Sequence, residues 1–493
     1  MENFQDFFVD LLTPFFHGIM VVFSAIFDWI FGTLNIVNYV KIISTYSKEM
    51  SFSGNLLIAL SMIVLIGLYA LIAYGIYKII KRYIKYRKNL KSHEDLDEEL
   101  DILKSKLSRY ESDNAKYGKM IEEDEDGENV LKSGESRFKR LSEVDEKMQN
   151  LSLPQTNDTI DLKALCEMFR NFSASELKLY YPEKIIRLFI ASLASNKLII
   201  LQGISGTGKT SLAYAFGKFL NNDACISPVQ PSWRDRSEVF GYFNEFTKRF
   251  NETDLLVSMY EAGYKDRVFI GVLDEMNISR VEYYFAEMLS LLEMPKEEHR
   301  ILSIVPSGWD NDPKNIKDGK LKIPNNMWYI GTINNDDSTF MITDKVYDRA
   351  MPINIDEKAD KFEAPKTETL ELSYNHLNNL FVKAKEEHKV KEEVMNKLTL
   401  TDKYIIEHFR IAFGNRIVKQ LTDFVPAFVA CGGDEIDGVD YILANKILRK
   451  FEQLNLGIIK NEIDGFIEFL DNTFGKDKMK ESIAYLNRLK KMI

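Results

Sequence analysis

Cysteine is scarce in this sequence, which has only three such residues in 493. Cys166, Cys225 and Cys431 stand far apart, which excludes a disulfide framework and a zinc site built from cysteine pairs and is typical of a reducing compartment. The formal net charge of −10 excludes a chain-wide basic field. Hydrophobic residues (45%) and charged residues (28%) exclude wholesale disorder, and the length predicts about three structural units.

Charged residues are absent from one long apolar run, residues 54–77, which reads GNLLIALSMIVLIGLYALIAYGIY. A run of this length predicts a membrane-spanning helix. A basic cluster follows at once, comprising Lys78, Lys81, Arg82, Lys85, Arg87, Lys88 and Lys91. An excess of Lys and Arg on that flank predicts that the rest of the chain lies in the cytoplasm, anchored to the inner cell membrane.

An earlier apolar segment, residues 7–36, is interrupted by Asp10, Pro14, His17 and Asp28. It favours a second span over residues 11–32, with an aromatic-rich helix at the membrane interface as the alternative. Residues 1–90 are therefore predicted to form a membrane anchor.

Residues 91–153 are predicted to form a stalk and an acidic linker. Steps of four and three separate Leu96, Leu100, Leu103, Leu107 and Tyr110, which favours a short coiled coil; one amphipathic helix packed on its own domain is the alternative. The run EEDEDGE at 122–128 predicts a solvated break. A second helical pattern covers 138–151, and a polar segment around Pro154 marks the boundary.

Beyond this boundary, an apolar run at 197–202 predicts a short strand, and GISGTGKT at 203–210 follows it directly. The next residues, SLAYAFGKFL, have helical character, so the order is strand, glycine-rich loop and helix. Such a loop wraps phosphates with backbone N–H groups at a helix N-terminus. The predicted nucleotide-binding residues are Gly203, Ser205, Gly206, Thr207, Gly208, Lys209, Thr210 and Ser211. Lys209 is expected to reach the β- and γ-phosphates of ATP or GTP, and the Thr210 hydroxyl to bind Mg²⁺.

Two further apolar runs end in polar residues. VFIGVL at 268–273 leads into Asp274 and Glu275, where Asp274 is expected to hold Mg²⁺ and Glu275 to orient and deprotonate the attacking water. WYIGTI at 328–333 leads into Asn334, which is expected to position that water; an ordinary strand-to-turn asparagine is the alternative. Arg349 then precedes another apolar run. It is expected either to act on the nucleotide of the neighbouring subunit or to form a local salt bridge with Asp348 or Asp344.

Five stretches together resemble the AAA+ motor of McrB-type restriction systems over roughly residues 175–455: GISGTGKTSLA, VQPSWRDRSEVFGYFN, VLDEMNISRVEYYFAEMLSLLE, WYIGTINNDDSTFMITDKVYDRA and FGNRIVKQL. The resemblance implies a ring, usually a hexamer, that hydrolyses nucleotide between subunits. It also implies a McrC-like partner that stimulates hydrolysis and brings a nuclease. By position, it makes Asn334 sensor 1, Arg349 the arginine finger acting in trans and Arg416 sensor 2, with a solvated surface residue as the alternative for Arg416.

The sequence departs from that family in two ways. Ser338 stands where the family signature Asn-x-x-Asp-Arg has its arginine, which leaves the choice between ATP and GTP open. A predicted anchor and stalk precede the motor where the family commonly carries a DNA-reading domain, so direct nucleic-acid binding by this chain is not supported, and cutting would fall to another chain.

The predicted fold is therefore α/β: a three-layer AAA+ P-loop NTPase core over 154–360 with an α-helical lid over 361–455, preceded by transmembrane helices and a coiled-coil stalk. Residues 456–493 are predicted to form a helical extension. The predicted function is the motor of an anti-phage defence system that works with a separate McrC-like or effector partner. The alternatives are a MoxR-like chaperone that remodels a membrane-associated client and a nucleotide-gated scaffold with negligible turnover.

Overall fold

The structure is a computed structural model, and it describes residues 134–149, 158–334, 339–356, 359–454 and 456–491, together with residues 41–45, 74, 78, 81, 131 and 156. The chain divides into two units, Met1–Asp126 and Gly127–Ile493. The described residues of the first unit, 41–45, 74, 78 and 81, are all helical. The second unit contains every element discussed below.

The predicted membrane segments fall almost wholly outside the described residues. Residues 11–32 are not among them, and 54–77 is described only at Tyr74. The predicted coiled-coil seam and the acidic run at 122–128 also lie outside the described residues. Within the part of the chain that the structure describes, no helix is both long enough and apolar enough to cross a membrane.

A five-stranded parallel sheet organises the second unit, with strand order β10-β1-β9-β5-β2. Its strands are β1 (Leu198–Gly203), β2 (Cys225–Pro228), β5 (Phe269–Asp274), β9 (Met327–Asn334) and β10 (Ala350–Asn354). Two small antiparallel sheets lie outside it: β3 (Gly241–Asn244) with β4 (Arg249–Glu252), and β6 (Ile301–Ser303) with β7 (Ile316–Lys317) and β8 (Lys320–Lys322). The three apolar runs that end in predicted site residues therefore form adjacent central strands, β1, β9 and β5.

Helices surround the sheet and continue to the end of the described chain. Before and between the strands lie α1 (Lys139–Gln149), α2 (Leu162–Ser175), α3 (Glu183–Ser195), α4 (Lys209–Phe219), α5 (Ser237–Phe240), α6 (Asp254–Ala262), α7 (Val281–Tyr284), α8 (Ala286–Leu291) and α9 (Asp344–Tyr347). After the sheet come α10 (Tyr374–Glu387), α11 (Glu392–Phe409), α12 (Gly414–Ala430), α13 (Glu435–Ile442), α14 (Leu456–Phe474) and α15 (Lys480–Lys491). A π-helical segment, Leu443–Ile447, and a 3-10 segment, Leu448–Gln453, join α13 to α14.

Two apolar clusters, one on each face of the sheet, make three layers. Along β1, Ile199 and Leu201 belong to one cluster, while Leu198 and Ile200 belong to the other, as the alternation of side chains along a strand requires. Because both faces are covered, β1 is a continuous apolar run rather than an alternating one.

The predicted stalk helix at 138–151 exists as α1, and it packs on the sheet unit. Phe138 and Leu141 are fully buried, and the Glu252 carboxylate in β4 accepts a hydrogen bond from the Arg140 amide at 2.9 Å. At the other end of the chain, residues of α14 and α15, such as Ile463 and Leu486, are buried in the same cluster as the helices beside the sheet. The predicted C-terminal extension is thus integrated into this unit.

Candidate nucleotide site

The carboxyl ends of the central strands bring the predicted catalytic segments together. Gly203, the last residue of β1, pairs with Asn334, the last residue of β9, and β5 ends in Asp274 on the other side of β9. Parallel strands present their carboxyl ends at one edge, where the loops that bind ligands gather. The glycine-rich loop, Asp274, Glu275 and Asn334 therefore share this edge.

The backbone of the glycine-rich loop requires its glycines. Gly206 and Gly208 have φ angles of +78° and +92°, a region that residues with a side chain rarely adopt. A Cβ atom at Gly203 would lie 2.4 Å from the Ile355 carbonyl oxygen, whereas one at Gly206 would meet no atom within 4 Å. The loop is thus closely packed beneath Gly203 and has open space beside Gly206, which suits a cradle for phosphate.

Lys209 opens α4 and lies over the loop. Its side chain is buried, and its Nζ donates to the carbonyl oxygens of Gly203 and Ile204 at 3.1 and 2.7 Å. The Tyr181 hydroxyl donates to the Gly208 carbonyl at 3.0 Å, and burial raises the pKa of Tyr181 above its usual value, so the phenol stays protonated as a donor. The lysine ammonium is thereby held where β- and γ-phosphates would enter.

Thr210 and Asp274 form a cluster of oxygen ligands beside this lysine. The Thr210 hydroxyl donates to Asp274 Oδ1 at 2.6 Å, and the Thr332 hydroxyl donates to the same oxygen at 2.7 Å. Hydroxyl and carboxylate oxygens are the ligands that Mg²⁺ takes in phosphate sites. Thr210 and Asp274 therefore fit the predicted metal site, with Thr332 orienting the carboxylate.

Glu275 has a backbone conformation that is unusual for a residue with a side chain. Its φ and ψ angles are 53° and 47°, in the left-handed region, and its amide donates to the Thr332 hydroxyl at 2.8 Å. Asn334 Nδ2 donates to Glu275 Oε1 at 3.2 Å, as a residue positioned to control this carboxylate would. Such strained conformations persist where surrounding contacts fix them, and they cluster at functional sites.

Two residues that support this arrangement were missed by the sequence analysis. Buried Asn277 donates through Nδ2 to the Asn334 carbonyl at 3.1 Å and to the Thr339 hydroxyl at 2.9 Å. Thr332 precedes Asn334 by two positions on β9, so alternation along the strand puts both side chains on one face. That spacing is the signal that could have identified Thr332.

Arg349 lies at the opposite edge of the sheet. The residue after it, Ala350, pairs with Leu198 at the start of β1, and the Arg349 carbonyl accepts a hydrogen bond from Asn196 Nδ2 at 2.9 Å. Five strand steps separate Leu198 from Gly203, a distance of roughly 17 Å. Arg349 therefore does not serve the phosphate loop of its own chain. Its carboxylate partner is Glu293 at 2.6 Å, not Asp344 or Asp348.

Arg416 departs from its expected place. It lies in the first turn of α12, and its guanidinium pairs with Glu293 Oε1 at 2.5 Å, the same carboxylate that holds Arg349 through Oε2. One turn further along α12, Gln420 Nε2 donates to the Asp348 carbonyl at 3.1 Å. The start of α12 is therefore fixed beside the Arg349 segment, and the structure does not bring Arg416 to its own phosphate loop, where a sensor 2 residue acting in cis would lie.

Known proteins share distant similarity with this chain. No known family profile matches the chain. The chain is 24% identical over 173 residues to the type IV methyl-directed restriction enzyme EcoKMcrB subunit of Escherichia coli K12. This match covers 34% of the chain and 36% of that protein, so the chain spans about a third of the relative's length. A full-length MCM homolog from Methanopyrus kandleri overlays with 12% identity and a TM-score of 0.32, covering 59% of this chain and 61% of that one.

The sheet order, the glycine-rich loop and this similarity all indicate the same kind of nucleotide-binding core. With the five strands numbered along the chain, the order is 5-1-4-3-2, and the glycine-rich loop follows strand 1. The chain therefore has a parallel α/β core with a P-loop, and about a third of it is similar in sequence to a McrB subunit. Its oxygen cluster and its open loop lie at one edge of the sheet, and its Arg349 lies at the other.

Proposed function

We propose that this protein hydrolyses ATP or GTP at the interface between subunits of a homo-oligomeric ring, as a McrB-like motor. The observation that carries the proposal is the division of the predicted site between two edges of one sheet. Lys209, Asp274 and Glu275 lie at the carboxyl edge, whereas Arg349 lies at the amino edge. A ring built by head-to-tail contacts joins such unlike faces of adjacent subunits.

Each residue has a defined task in this reaction. The loop amides and the Lys209 ammonium would bind the phosphates, and Thr210 and Asp274 would hold Mg²⁺, which would offset phosphate charge. Glu275 accepts a proton from the attacking water, and Asn334 fixes the position of its carboxylate. A guanidinium from the neighbouring subunit stabilises negative charge that develops on the γ-phosphate. The ring, usually a hexamer in McrB-type systems, is needed because no chain completes a site alone.

The wider role rests on sequence and on the relative. Methyl-directed restriction is the stated activity of the Escherichia coli protein, and we extend from it only the motor role, in an antiviral defence system with a McrC-like or nuclease partner. The apolar run at 54–77 and its basic flank support tethering to the inner membrane with the motor in the cytoplasm. Deleting residues 1–90 should move the protein from the membrane pellet to the supernatant; a truncated protein that stays with the membrane would refute tethering by this segment.

Phosphate release by purified full-length protein tests the reaction. Turnover should be measured with ATP and with GTP, with and without the product of the adjacent gene. Lys209→Ala should abolish turnover by weakening nucleotide binding, whereas Glu275→Gln should abolish turnover and keep binding. Glu298→Gln is a matched control, since Glu298 is an exposed carboxylate outside the site. Normal hydrolysis by either site variant would refute the proposal. An adjacent gene encoding a von Willebrand-type domain would favour the chaperone instead.

A further inference from the structure

The backbone around Arg349 is held by side chains from distant parts of the chain. It lies where α9 ends and β10 begins, and the four successive carbonyl groups of residues 347–350 all accept hydrogen bonds from such side chains. Asn196 donates to the Arg349 carbonyl at 2.9 Å, and Gln420 donates to the Asp348 carbonyl at 3.1 Å. The position of Arg349 is therefore set by contacts from outside its own segment.

Lys446 makes more of these contacts than either of those residues. Its Nζ donates to the carbonyl oxygens of Tyr347, Asp348 and Ala350 at 2.6, 3.3 and 2.7 Å. An ammonium group has three N–H donors, and this arrangement gives each of them an acceptor. The three acceptors stand on both sides of Arg349 in the chain, so one side chain fixes the backbone before and after the arginine.

Burial of Lys446 is unfavourable in itself. The residue is 4% exposed, and burial lowers its pKa to about 7 because the charged form is separated from water. Burying such a group costs free energy unless hydrogen bonds compensate, and an apolar side chain of similar length would fill the space without this cost. A role in fixing the Arg349 backbone accounts for a lysine in this place.

The helical region after the sheet supplies this lysine. Lys446 lies in the π-helical segment Leu443–Ile447, and short π-helical segments are frequent at functional sites. In the 3-10 segment that follows, Lys450 pairs with the Asp348 carboxylate at 3.0 Å. The same helical region therefore holds Asp348 through both its backbone and its side chain.

Arg349 itself lies at the amino edge of the sheet, away from the phosphate loop of its own chain. We propose that Lys446 is a positioning residue, which fixes the Arg349 backbone so that the guanidinium reaches the nucleotide of the neighbouring subunit. In this role Lys446 acts through Arg349 and not on nucleotide directly. A lysine in one subunit thereby controls hydrolysis in the next. This inference rests on the proposed function.

The first test replaces the lysine by a side chain of similar length without N–H donors, Lys446→Met. Binding of a fluorescent nucleotide should stay unchanged, because the phosphate loop is untouched. Turnover at saturating nucleotide should fall about 10- to 100-fold, the loss expected when a catalytic group moves by about 1 Å.

Asn326→Leu is the matched control for this change. The Asn326 amide is also buried, and it donates to three backbone carbonyls, those of Ala262, Lys265 and Arg267. The control should lower the melting temperature and keep turnover, because none of these residues carries or flanks Arg349. A loss of turnover in the control, with the same recovery in mixtures as Lys446→Met, would overturn the inference.

Two equal mixtures of full-length variants show which subunit Lys446 serves. In a random mixture of Lys446→Met with Lys209→Ala, about a quarter of the interfaces join an intact loop to a correctly placed arginine, so turnover should return to roughly a quarter of the wild-type value. In a mixture of Lys446→Met with Arg349→Ala, no interface has a correctly placed arginine, and turnover should stay at the level of the separate variants. Recovery in the second mixture and none in the first would mean that Lys446 serves its own subunit's nucleotide, and would overturn the inference.

Full turnover of folded Lys446→Met on its own would also overturn it. If circular dichroism shows that Lys446→Met does not fold, Lys446→Gln, which keeps N–H donors, replaces it and should show the same pattern in both mixtures with a smaller loss. Unfolding of both variants would make Lys446 a residue of stability alone and would overturn the inference. The mixture of Lys209→Ala with Arg349→Ala separates the two failures: recovery there, with the opposite pattern for Lys446, leaves the proposed function intact, and no recovery there removes the proposed function itself.

Discussion

The hydroxyl of Thr332 connects the predicted metal ligand to the predicted base, and its removal is the most informative single change in the site. It donates to Asp274 Oδ1 at 2.7 Å and accepts from the Glu275 amide at 2.8 Å, and the residue is 2% exposed. Thr332→Val keeps the side-chain shape and leaves that amide without its acceptor. Leaving a buried donor unsatisfied costs about 1–3 kcal/mol.

The amide in question belongs to a residue with left-handed backbone angles, so the lost contact removes part of what fixes the Glu275 carboxylate. If the whole free-energy cost of the unsatisfied amide appears in the activation barrier to hydrolysis, turnover falls roughly 5- to 150-fold. Nucleotide affinity should change far less, because Lys209 and the loop are untouched. Phosphate release at saturating nucleotide, compared with binding of a fluorescent nucleotide, separates these two quantities.

A matched control distinguishes positioning from a general loss of stability. Thr401 is fully buried on α11 and donates to the Lys397 carbonyl at 2.8 Å, so Thr401→Val removes a buried hydroxyl away from the site. It should lower the melting temperature without selective loss of turnover, and Thr332→Ser should restore turnover. In a Glu275→Gln background, Thr332→Val should have little further effect. Wild-type turnover in Thr332→Val, with the protein folded, would refute this reasoning.

Three further predictions follow from the described contacts. Gly203→Ala should fail to fold stably, because its Cβ would lie 2.4 Å from the Ile355 carbonyl oxygen, while Gly206→Ala should fold and lose nucleotide affinity; circular dichroism and nucleotide titration check the pair. Glu293→Gln should lower the melting temperature, because it leaves Arg349 and Arg416 without their shared carboxylate, and an unchanged melting temperature would contradict this. Burial lowers the pKa of Lys446 from 10.5 to about 7, so between these two pH values the unfolded chain binds more protons than the folded chain. The contribution of Lys446 to the free energy of unfolding is therefore complete above pH 10.5 and lost as the pH falls through 7. Urea midpoints should therefore rise between pH 7 and 10 more steeply in the wild type than in Lys446→Met, and parallel slopes would refute the assignment.

Local sequence order was enough to predict the central strands and the loop. Strand, glycine-rich loop and helix follow one another without a gap from β1 to α4. The apolar runs that end in Asp274 and Asn334 form β5 and β9, where β9 pairs with β1 and β5 pairs with β9. These signals lie within a few residues of each other, so the hydrophobic periodicity and the glycine and turn residues of the sequence reveal them.

Partners that are distant in sequence could not be predicted in this way. The Glu293 carboxylate that holds Arg349 lies 56 positions before it, and nothing in the run LSLLE singles it out. The packing of α1 on β4 depends on Glu252, more than a hundred residues away from Arg140. Arg416 was placed by motif position alone, and the location of α12 depends on its packing against α3, which no local pattern reports.

The central claim is that each nucleotide is hydrolysed by residues from two subunits. Its most direct test is phosphate release by an equal mixture of full-length Lys209→Ala, which keeps Arg349, and full-length Arg349→Ala, which keeps the phosphate loop. The account predicts that each variant alone is inactive and that the mixture recovers roughly a quarter of the wild-type turnover. A mixture that forms mixed rings yet stays as inactive as its components would contradict it.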